Sequence, residues 1–539
     1  MKKNRPTISR LLAISIVFLT GFAVYSQPLK IDVTHYRFEL ELTDTSDIIK
    51  GKATIFFKPL ASGKTVTLDF ADYAAGKGMN VLGIYKGSRD DNRLTFKRED
   101  EKLTVNFIDP LAANTEQQIT ILYWGVPKDG LIISKNKYGH RTFFGDNWPN
   151  RGHNWIPCID DPGDKASVEF VVTAPQHYQV VGNGILTEET NIDNARKLTH
   201  WKEDIPIATK VMVIGAADFA VGLAGMVNDC IPVYSWVYPE DRAKGFYDYA
   251  LATGILSYYI KTFGPYGFKK LANVQSKTTF GGLENANTIF YHENSVTGDR
   301  SSESLMAHEI AHQWFGNMVT EKSFAHLWLS EGFSTYLAIL YMENKHGIDT
   351  ARYMLAEDRA EVIDFVKKSQ QAVIDSSSDY MELLNPNNYQ KGGWILHMLR
   401  QQLGDSIFFT AIKAFYAGYA GKNAETSDFQ KTVERVSGKN LSVFFNQWLY
   451  TPGIPKLDIG WKYVGAEKKI LLTVKQTQKI PFTFPLTIQL NMAGSSSQTK
   501  ILDISKKEQV FSFAVKGKPQ DITADPGMNL LFEGSVHSN

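Results

Sequence analysis

Alternation of apolar and polar residues marks the first part of the chain. At residues 36–42, aromatic or aliphatic side chains at every second position alternate with charged ones, the pattern of a strand with one buried face. Similar short runs occur at residues 53–57, 66–70, 103–107 and 118–123. Turn-forming residues at 88–92 separate two of these strands. We therefore predict a β-rich domain of packed sheets over residues 27–238.

The pattern changes to a helical period near Pro239. Residues 244–263 repeat large apolar side chains at intervals of three and four, which brings them near one helix face. Further helices are predicted at residues 301–318, 331–346, 350–370, 390–402, 408–416 and 426–449. One strand is predicted among them, at residues 271–275. We therefore expect a mostly helical domain over residues 239–452.

Strand-like runs return after a break rich in proline and glycine at residues 452–455. They lie at residues 470–475, 483–490, 509–515 and 521–524. We predict a small β domain over residues 453–539, and no internal repeat is visible in the sequence. The expected fold is a multidomain α+β protein, with an N-terminal β-sandwich or saddle domain, a mostly helical middle domain and a small C-terminal β-sandwich.

Composition is that of a folded protein rather than a disordered one. Of 539 residues, 43% are hydrophobic and 21% are charged. Lys plus Arg (58) nearly balances Asp plus Glu (57), and no basic run stands out beyond the first residues, so nucleic-acid binding has no electrostatic basis. The two cysteines, Cys158 and Cys230, could pair or could be two small buried apolar side chains; both interpretations stay open.

The N-terminus has the features of a secretion signal. Basic residues within positions 2–10 precede an almost wholly apolar run at 11–24, and small residues follow at positions that a signal peptidase accepts. We predict a signal peptide at residues 1–26 and an exported protein that is periplasmic, surface-associated or secreted. The apolar run is shorter than the ~20 residues of a spanning helix, so an uncleaved anchor is the alternative and no membrane span is expected after signal removal.

Two histidines four residues apart lie inside one of the predicted helices. The segment His308-Glu309-Ile310-Ala311-His312 brings both imidazoles to one helix face, with Cβ atoms about 5–6 Å apart. Imidazoles so arranged can bind one zinc ion, and Glu309 can act as the base for a water molecule beside it. The alternative is a helix with two surface histidines and a solvated glutamate.

A third ligand is predicted at Glu331, at the head of a second apolar helix. A catalytic zinc has three protein ligands and one open position, and Glu331 follows His312 after 18 intervening residues. A turn at residues 320–325 would let the two helices pack antiparallel and bring this carboxylate to the histidine pair. Without a metal, Glu331 would be an acid in a first helical turn. We predict one Zn²⁺ per chain, bound by His308, His312 and Glu331 in a gluzincin site.

Several motifs resemble those of the M1 family of zinc aminopeptidases in order and spacing. They are H-E-I-A-H-Q-W-F-G-N at 308–317, L-W-L-S-E-G-F at 327–333, G-G-L-E-N at 281–285, Y-Q-K-G at 389–392 and, more weakly, P-C-I-D-D-P at 157–162. Leu283 stands where the family's G-x-M-E-N motif has methionine. The segment at 322–328 is closest to the leukotriene hydrolase-like branch. The resemblance covers most of the chain.

The resemblance implies a fold, an activity and residue roles. It implies a thermolysin-like middle domain and a metallo-aminopeptidase that releases N-terminal residues from peptides with a free N-terminus. Glu309 would be the general base, and Tyr389 would stabilise the oxyanion. Glu284 would bind the α-ammonium group, which is substantially protonated at neutral pH because its pKa is about 7.7–8.0. Gly281 and Gly282 would hydrogen-bond the substrate main chain.

The sequence also departs from the family pattern. Many members have a second amine-binding Glu or Gln before residue 157, whereas residues 147–151 contain neither, and Ser330 replaces the commoner Asn. The chain resembles a shorter form without the family's C-terminal helical domain. His326 is expected to be a packing residue rather than a ligand. The alternatives to an aminopeptidase are a zinc endopeptidase and a non-catalytic binding protein.

Overall fold

The computed structural model describes residues 30–87, 92–377, 379–492 and 497–539. The predicted signal peptide at residues 1–26 and most of the predicted turn at 88–92 lie outside these ranges. Within the part of the chain that is described, no helix has both the length and the apolar composition that crossing a membrane requires.

The N-terminal region is built from strands, as the alternation predicts. The strands are β1 (Ile31–Glu41), β2 (Ile49–Pro59), β3 (Gly63–Asp69), β4 (Gly78–Lys86), β5 (Arg93–Glu99), β6 (Lys102–Leu111), β7 (Gln117–Val126), β8 (Leu131–Lys135), β9 (Arg141–Gly145), β10 (Lys165–Pro175), β11 (Gln179–Gly182), β12 (Ile185–Asn191), β13 (Arg196–Ala208) and β14 (Ile214–Ala217). One sheet has the order β12-β13-β10-β1-β2-β7-β4-β5-β6-β3, and another has the order β11-β14-β9-β8. On β1, Tyr36, Phe38 and Leu40 are buried, so the predicted half-buried strand is confirmed.

A third sheet carries part of the cavity described below. Its strands are β15 (Ala220–Val227), β16 (Ile231–Val237), β17 (Leu271–Ser276), β18 (Gly282–Leu283) and β19 (Thr288–His292). Their order is β15-β16-β17-β19-β18, so the two-residue strand β18 forms one edge. Strands β15 and β16 precede Pro239 yet belong to this sheet, and the domain boundary at residue 239 stays a prediction.

Helices dominate from residue 242 to residue 445. They are α1 (Arg242–Tyr249), α2 (Leu251–Phe263), α3 (Glu303–Ala311), α4 (Trp328–His346), α5 (Ile348–Lys368), α6 (Gly392–Leu403), α7 (Asp405–Tyr419), α8 (Thr426–Ser437) and α9 (Ser442–Phe445). The short strands β20 (Val319–Glu321) and β21 (Lys422–Ala424) pair with each other. The predicted mostly helical region is confirmed.

Three of the predicted helices are wrong in extent. The helix at 244–263 is interrupted at Ala250, and the helix at 426–449 stops at Gly438, whose left-handed φ of 67° caps α8. The helix predicted at 301–318 ends at Ala311, since the chain turns at Gly316 with a φ of +122°. Buried aromatic residues after His312 continue the helical pattern of apolar positions, so the sequence does not show where this helix ends.

The C-terminal region is a small pair of sheets. Its strands are β22 (Lys456–Val464), β23 (Lys469–Gln476), β24 (Phe484–Asn491), β25 (Ser497–Ile504), β26 (Glu508–Ala514), β27 (Asp521–Ala524) and β28 (Glu533–Ser538). The sheet orders are β26-β23-β22-β28 and β25-β24-β27. The four predicted strands are confirmed, and β22, β25 and β28 were not predicted. This region docks on the helices, where His397 Nε2 donates to the Met528 carbonyl at 2.8 Å.

Candidate metal centre and active site

Two helices bring the three predicted ligands together. His308 lies in the last turn of α3, His312 caps that helix, and Glu331 lies in the first turn of α4. The two Nε2 atoms are 3.0 Å apart, and Glu331 Oε2 lies 3.4 Å from His308 Nε2 and 3.3 Å from His312 Nε2. Ligands about 2.0–2.1 Å from a tetrahedral zinc are about 3.3 Å from one another. The three side chains therefore fit a zinc ion.

The second nitrogen of His312 is held in the form that a ligand needs. His312 Nδ1 lies 3.2 Å from the Phe315 carbonyl oxygen and 3.0 Å from Ser330 Oγ. Since a carbonyl can only accept, Nδ1 carries a proton, and Nε2, which faces Glu331, is the nitrogen that can bind a metal once it is deprotonated. Gly316 permits this arrangement, because a Cβ there would lie 2.4 Å from Ser330 Oγ and 3.0 Å from His312 Nδ1.

The three candidate ligands shift one another's pKa values. Burial alone would raise the pKa of the Glu331 carboxyl, but His312 and His308 outweigh it and hold the pKa well below its usual range. Burial opposes protonation of His312, yet Glu331 raises its pKa to about 9, whereas burial lowers the pKa of His308. A metal ion at this site would displace a proton from His312, because the ligand form of histidine is neutral.

Glu309 is buried next to the ligands, under the edge strand β18. Burial raises its pKa well above the ordinary value for a glutamate. Its carboxylate fits directly against the Gly282 backbone: a Cβ on Gly282 would lie 2.2 Å from Glu309 Oε1 and 2.4 Å from Cδ. Gly282 thus sets the position of the Glu309 carboxylate by close contact, which explains why this position has no side chain.

Tyr389 lies on the other side of the histidine pair. It belongs to a π-helical turn, Asn387–Lys391, that leads into α6. Its ring stacks on the His308 ring, with centroids 6.1 Å apart and planes at 10°. Burial raises the pKa of Tyr389 well above its ordinary value, and the carboxylates of Glu331 and Glu284 add to this. The hydroxyl therefore keeps its proton and can donate a hydrogen bond.

A glycine contact between two helices brings Glu331 and Tyr389 to the same site. A Cβ on Gly332 in α4 would lie 2.7 Å from the Gly392 Cα in α6, and a Cβ on Gly392 would lie 2.8 Å from the Gly332 Cα. The two backbones are therefore in contact at Gly332, directly after Glu331, and at Gly392, three residues after Tyr389. Sequence reasoning did not find this role, although both glycines lie inside the quoted motifs.

Glu284 is anchored by its main chain and free at its carboxylate. Its carbonyl oxygen accepts hydrogen bonds from Gln313 Nε2 at 3.1 Å and from Asn317 Nδ2 at 2.7 Å. Both amides follow the histidine pair in the chain, so the same segment holds the ligands and Glu284. Its Oε1 is buried and has no hydrogen-bond partner among the described residues. Such an atom can accept from a cationic ligand group.

All eight predicted site residues line a single cavity of about 350 Å³. They are Gly281, Gly282, Glu284, His308, Glu309, His312, Glu331 and Tyr389. Gly281 is exposed at its mouth, and β18 pairs only with β19 within the described chain, so the other edge of this strand is open. The cavity is also lined by residues that were not predicted: Trp148, Phe280, Leu283, Leu305 and Leu384.

The remaining candidate residues lie away from the ligands. His326 is a packing residue, as expected: its Nδ1 lies 3.0 Å from Thr426 Oγ1, which also accepts from the Trp328 indole at 2.9 Å. Cys158 is buried and Cys230 is exposed, and both are free thiols. The two cysteines therefore do not pair, and the prediction of two buried side chains is confirmed for Cys158 and wrong for Cys230.

Two family models match the sequence. The Peptidase M1 N-terminal domain matches residues 32–211, and the Peptidase family M1 domain matches residues 247–448. Leucyl aminopeptidase of Saccharolobus solfataricus is 24% identical over 512 residues, which cover 90% of this chain and 62% of that protein. Probable aminopeptidase 2 of Sulfurisphaera tokodaii is 25% identical over 484 residues, covering 86% of this chain and 59% of that protein.

The chain thus spans less than two thirds of the length of these two relatives. Among solved structures, aminopeptidase A of Legionella pneumophila in complex with aspartic acid matches with a TM-score of 0.81 at 17% identity. The match covers 96% of this chain and 61% of that one. It shows a common fold, with the β-rich region, the helical region and the C-terminal strands in the same arrangement.

Proposed function

The chain belongs to the M1 family of peptidases, and we propose on this basis that it is a zinc-dependent aminopeptidase that releases the first residue of peptides. The observation that carries the proposal is the buried Oε1 of Glu284, which has no hydrogen-bond partner among the described residues and lies in the same cavity as the three candidate metal ligands. A carboxylate beside the reaction centre favours substrates with a free α-ammonium group. An endopeptidase would not need this group.

His308, His312 and Glu331 would hold one Zn²⁺, since their ligand atoms have the separations that a tetrahedral zinc requires. When bound, zinc supplies Lewis-acid polarisation of the scissile carbonyl and of water. The Phe315 carbonyl would hold a proton of His312 on Nδ1, which leaves Nε2 as the nitrogen that binds the metal.

Glu309 would accept a proton from the attacking water and deliver it to the leaving amine. Burial raises the pKa of this carboxyl, which suits a group that must take up a proton and hold it between the two steps. Gly282 keeps the carboxylate in place by direct contact. The exposed Gly281 and the open edge of β18 would hydrogen-bond the substrate main chain.

Tyr389 would donate its hydroxyl to the oxyanion that forms on the scissile carbonyl, because its raised pKa keeps the proton on the phenol. Glu284 would accept from the substrate ammonium group, and the two amides on its carbonyl oxygen keep it at a fixed distance from the ligands. We also propose that the protein is exported, from the basic and apolar composition of residues 1–26.

The test compares leucine coumarylamide with its N-acetyl derivative, before and after chelation. We expect the acetylated compound to be cut at least about tenfold more slowly, because it lacks a charged hydrogen bond worth about 1.5–3 kcal/mol. Chelation should abolish turnover, and zinc should restore it. Glu309→Gln should bind metal but lose at least about 10²-fold in kcat. Equal cleavage of both compounds would point to an endopeptidase, and activity unaffected by chelation would refute the zinc mechanism.

A further inference from the structure

Five residues of the cavity have no part in the proposed chemistry. Trp148, Phe280, Leu283, Leu305 and Leu384 line it together with the functional residues, and we call them the apolar wall. We propose that the apolar wall selects substrates whose first residue has an uncharged, apolar side chain. This inference rests on the proposed aminopeptidase function, and it names the substrate class of that site.

The first side chain of a bound peptide has to lie in this cavity. The ammonium group of that residue would be held by Glu284, and its carbonyl by Tyr389 and by the zinc that His308, His312 and Glu331 would bind. These residues all line the same space. The Cα between those two groups therefore lies inside the cavity, and its side chain contacts whatever else lines it. Among the described residues that line the cavity, those that remain after the functional residues and the glycines are the five of the apolar wall.

Trp148 is a rigid part of the apolar wall. Its ring lies edge-to-face between two phenylalanines, with centroids 6.1 Å from Phe280 and 6.0 Å from Phe324, and it is 2% exposed. The preceding residue is fixed as well, because Asn147 Nδ2 donates to the Met212 carbonyl at 2.6 Å. The segment 147–151 thus contributes a fixed indole to the cavity.

A charged first residue would find no uncommitted opposite charge among the described residues of the cavity. The Trp148 indole Nε1, which has no hydrogen-bond partner among the described residues, is an uncharged donor. The cavity carboxylates already serve the metal, the base and the ammonium group, and they would repel an acidic side chain. The Arg151 guanidinium lies over the Phe280 ring at 5.9 Å, but it is paired with Asp146 and, at 3.1 Å, with Asp129. For a basic side chain, the apolar wall offers no carboxylate. Either charge would be desolvated without an ion-pair partner.

The first experiment measures kcat/KM for coumarylamides of leucine, methionine, phenylalanine, lysine, arginine, aspartate and glutamate. We expect each apolar substrate to exceed each charged one by at least about tenfold, the discrimination that burial of a large apolar side chain provides. A charged substrate at the top of the series would overturn the inference, even though it would leave the aminopeptidase function intact.

Variants then test the apolar wall itself. Two substitutions place a carboxylate in the apolar wall: Trp148→Glu and Leu384→Glu, the second at a half-buried loop residue. Each should lower the ratio of kcat/KM for leucine to kcat/KM for lysine by about tenfold. Trp148→Phe keeps an apolar ring and should change the ratio less than about threefold. Leu223→Glu changes a leucine on β15 that is exposed and lies outside the cavity, and it should leave the ratio unchanged. If Trp148→Glu fails to fold, Leu384→Glu decides the test. A leucine-to-lysine ratio at the wild-type value in Leu384→Glu would then contradict the proposal.

A binding measurement separates this inference from the proposed function. Calorimetry on Glu309→Gln with leucinamide, lysinamide and the α-amide of glutamate reads the preference without turnover. We expect leucinamide to bind about tenfold more tightly than the other two. If leucinamide is preferred but the wild-type protein cleaves no free-amine substrate, the proposed function fails and the preference stands. Equal or tighter binding of a charged amide overturns the inference.

Discussion

Gly282→Ala tests how the position of the general base is set. The substitution adds one methyl carbon, which would lie 2.2 Å from Glu309 Oε1, whereas ordinary contacts begin at 3.4 Å. The Glu309 carboxylate must therefore move by about 1 Å. The backbone of Gly282 is outside the left-handed region, so alanine fits without strain, and the displaced atoms are the end of a flexible side chain. The fold should tolerate the change.

The magnitude follows from the displacement. Misplacing a catalytic group by about 1 Å can cost about 10²-fold in rate, which is about 2.7 kcal/mol of transition-state stabilisation. We expect kcat/KM of Gly282→Ala on leucine coumarylamide to fall by about 10²-fold. The stability should change by less than about 1 kcal/mol, since no buried apolar contact is lost. Metal content should equal that of the wild type, because the three atoms nearest to the added carbon all belong to Glu309 and none belongs to a candidate ligand.

The assay combines kinetics, metal analysis and thermal unfolding. Gly254→Ala in α2 is the matched control, since a Cβ there meets no atom within 4 Å. Gly281→Ala is a useful contrast, because its Cβ would come no closer than 3.9 Å to Leu305 and would not touch Glu309. Wild-type turnover in Gly282→Ala would refute the reasoning. So would loss of metal or a large fall in Tm, because the damage would then not be local to the base.

Other predictions concern the hydroxyl donor, the ammonium site, the helix contact and a buried lysine. Tyr389→Phe should lower kcat by about 10²-fold with little change in KM, and the opposite pattern would make the hydroxyl a binding group. Glu284→Gln should raise KM for free-amine substrates, and unaltered kinetics would remove its assignment. Gly392→Ala should lower the free energy of unfolding by about 1–3 kcal/mol in urea titrations, because its Cβ would meet the Gly332 backbone at 2.8 Å; wild-type stability would contradict this. Burial lowers the pKa of Lys391 to about 7, so the unfolded chain binds more protons than the folded one between pH 7 and the ordinary lysine pKa near 10.5. The free energy of unfolding should therefore rise with pH across this range, and it should rise less in Lys391→Met. Urea titrations at pH 7 and pH 9.5 measure both increases, and an equal increase in the wild type and the variant would contradict the assignment.

Local patterns predicted what depends on local geometry. The spacing of four between His308 and His312 places both imidazoles on one face wherever a helix forms, and α3 does form around them. Alternation located strands such as β1 and β7 for the same reason, since the side-chain period of a strand is a property of its own backbone. The roles of Glu284 and Tyr389 were predicted from the resemblance to the family, because a lone glutamate or tyrosine has no spacing pattern that indicates a function.

Long-range packing decided the rest. The contact of Gly282 with Glu309 and that of Gly332 with Gly392 each join segments that are distant in sequence, so no periodicity could reveal them. The edge strand β18 has only two residues, too few to show alternation.

The N-terminal strand region shows the same division. Trp148 lines the cavity because the chain after β9 packs against Phe280. Phe280 lies between β17 and β18, far from Trp148 in the sequence. The sequence by itself therefore predicted most of the elements, the three candidate ligands and the resemblance to the family. Only the tertiary structure decided which backbones touch and which apolar side chains enclose the substrate, because these depend on contacts between elements rather than on the conformation of any one of them.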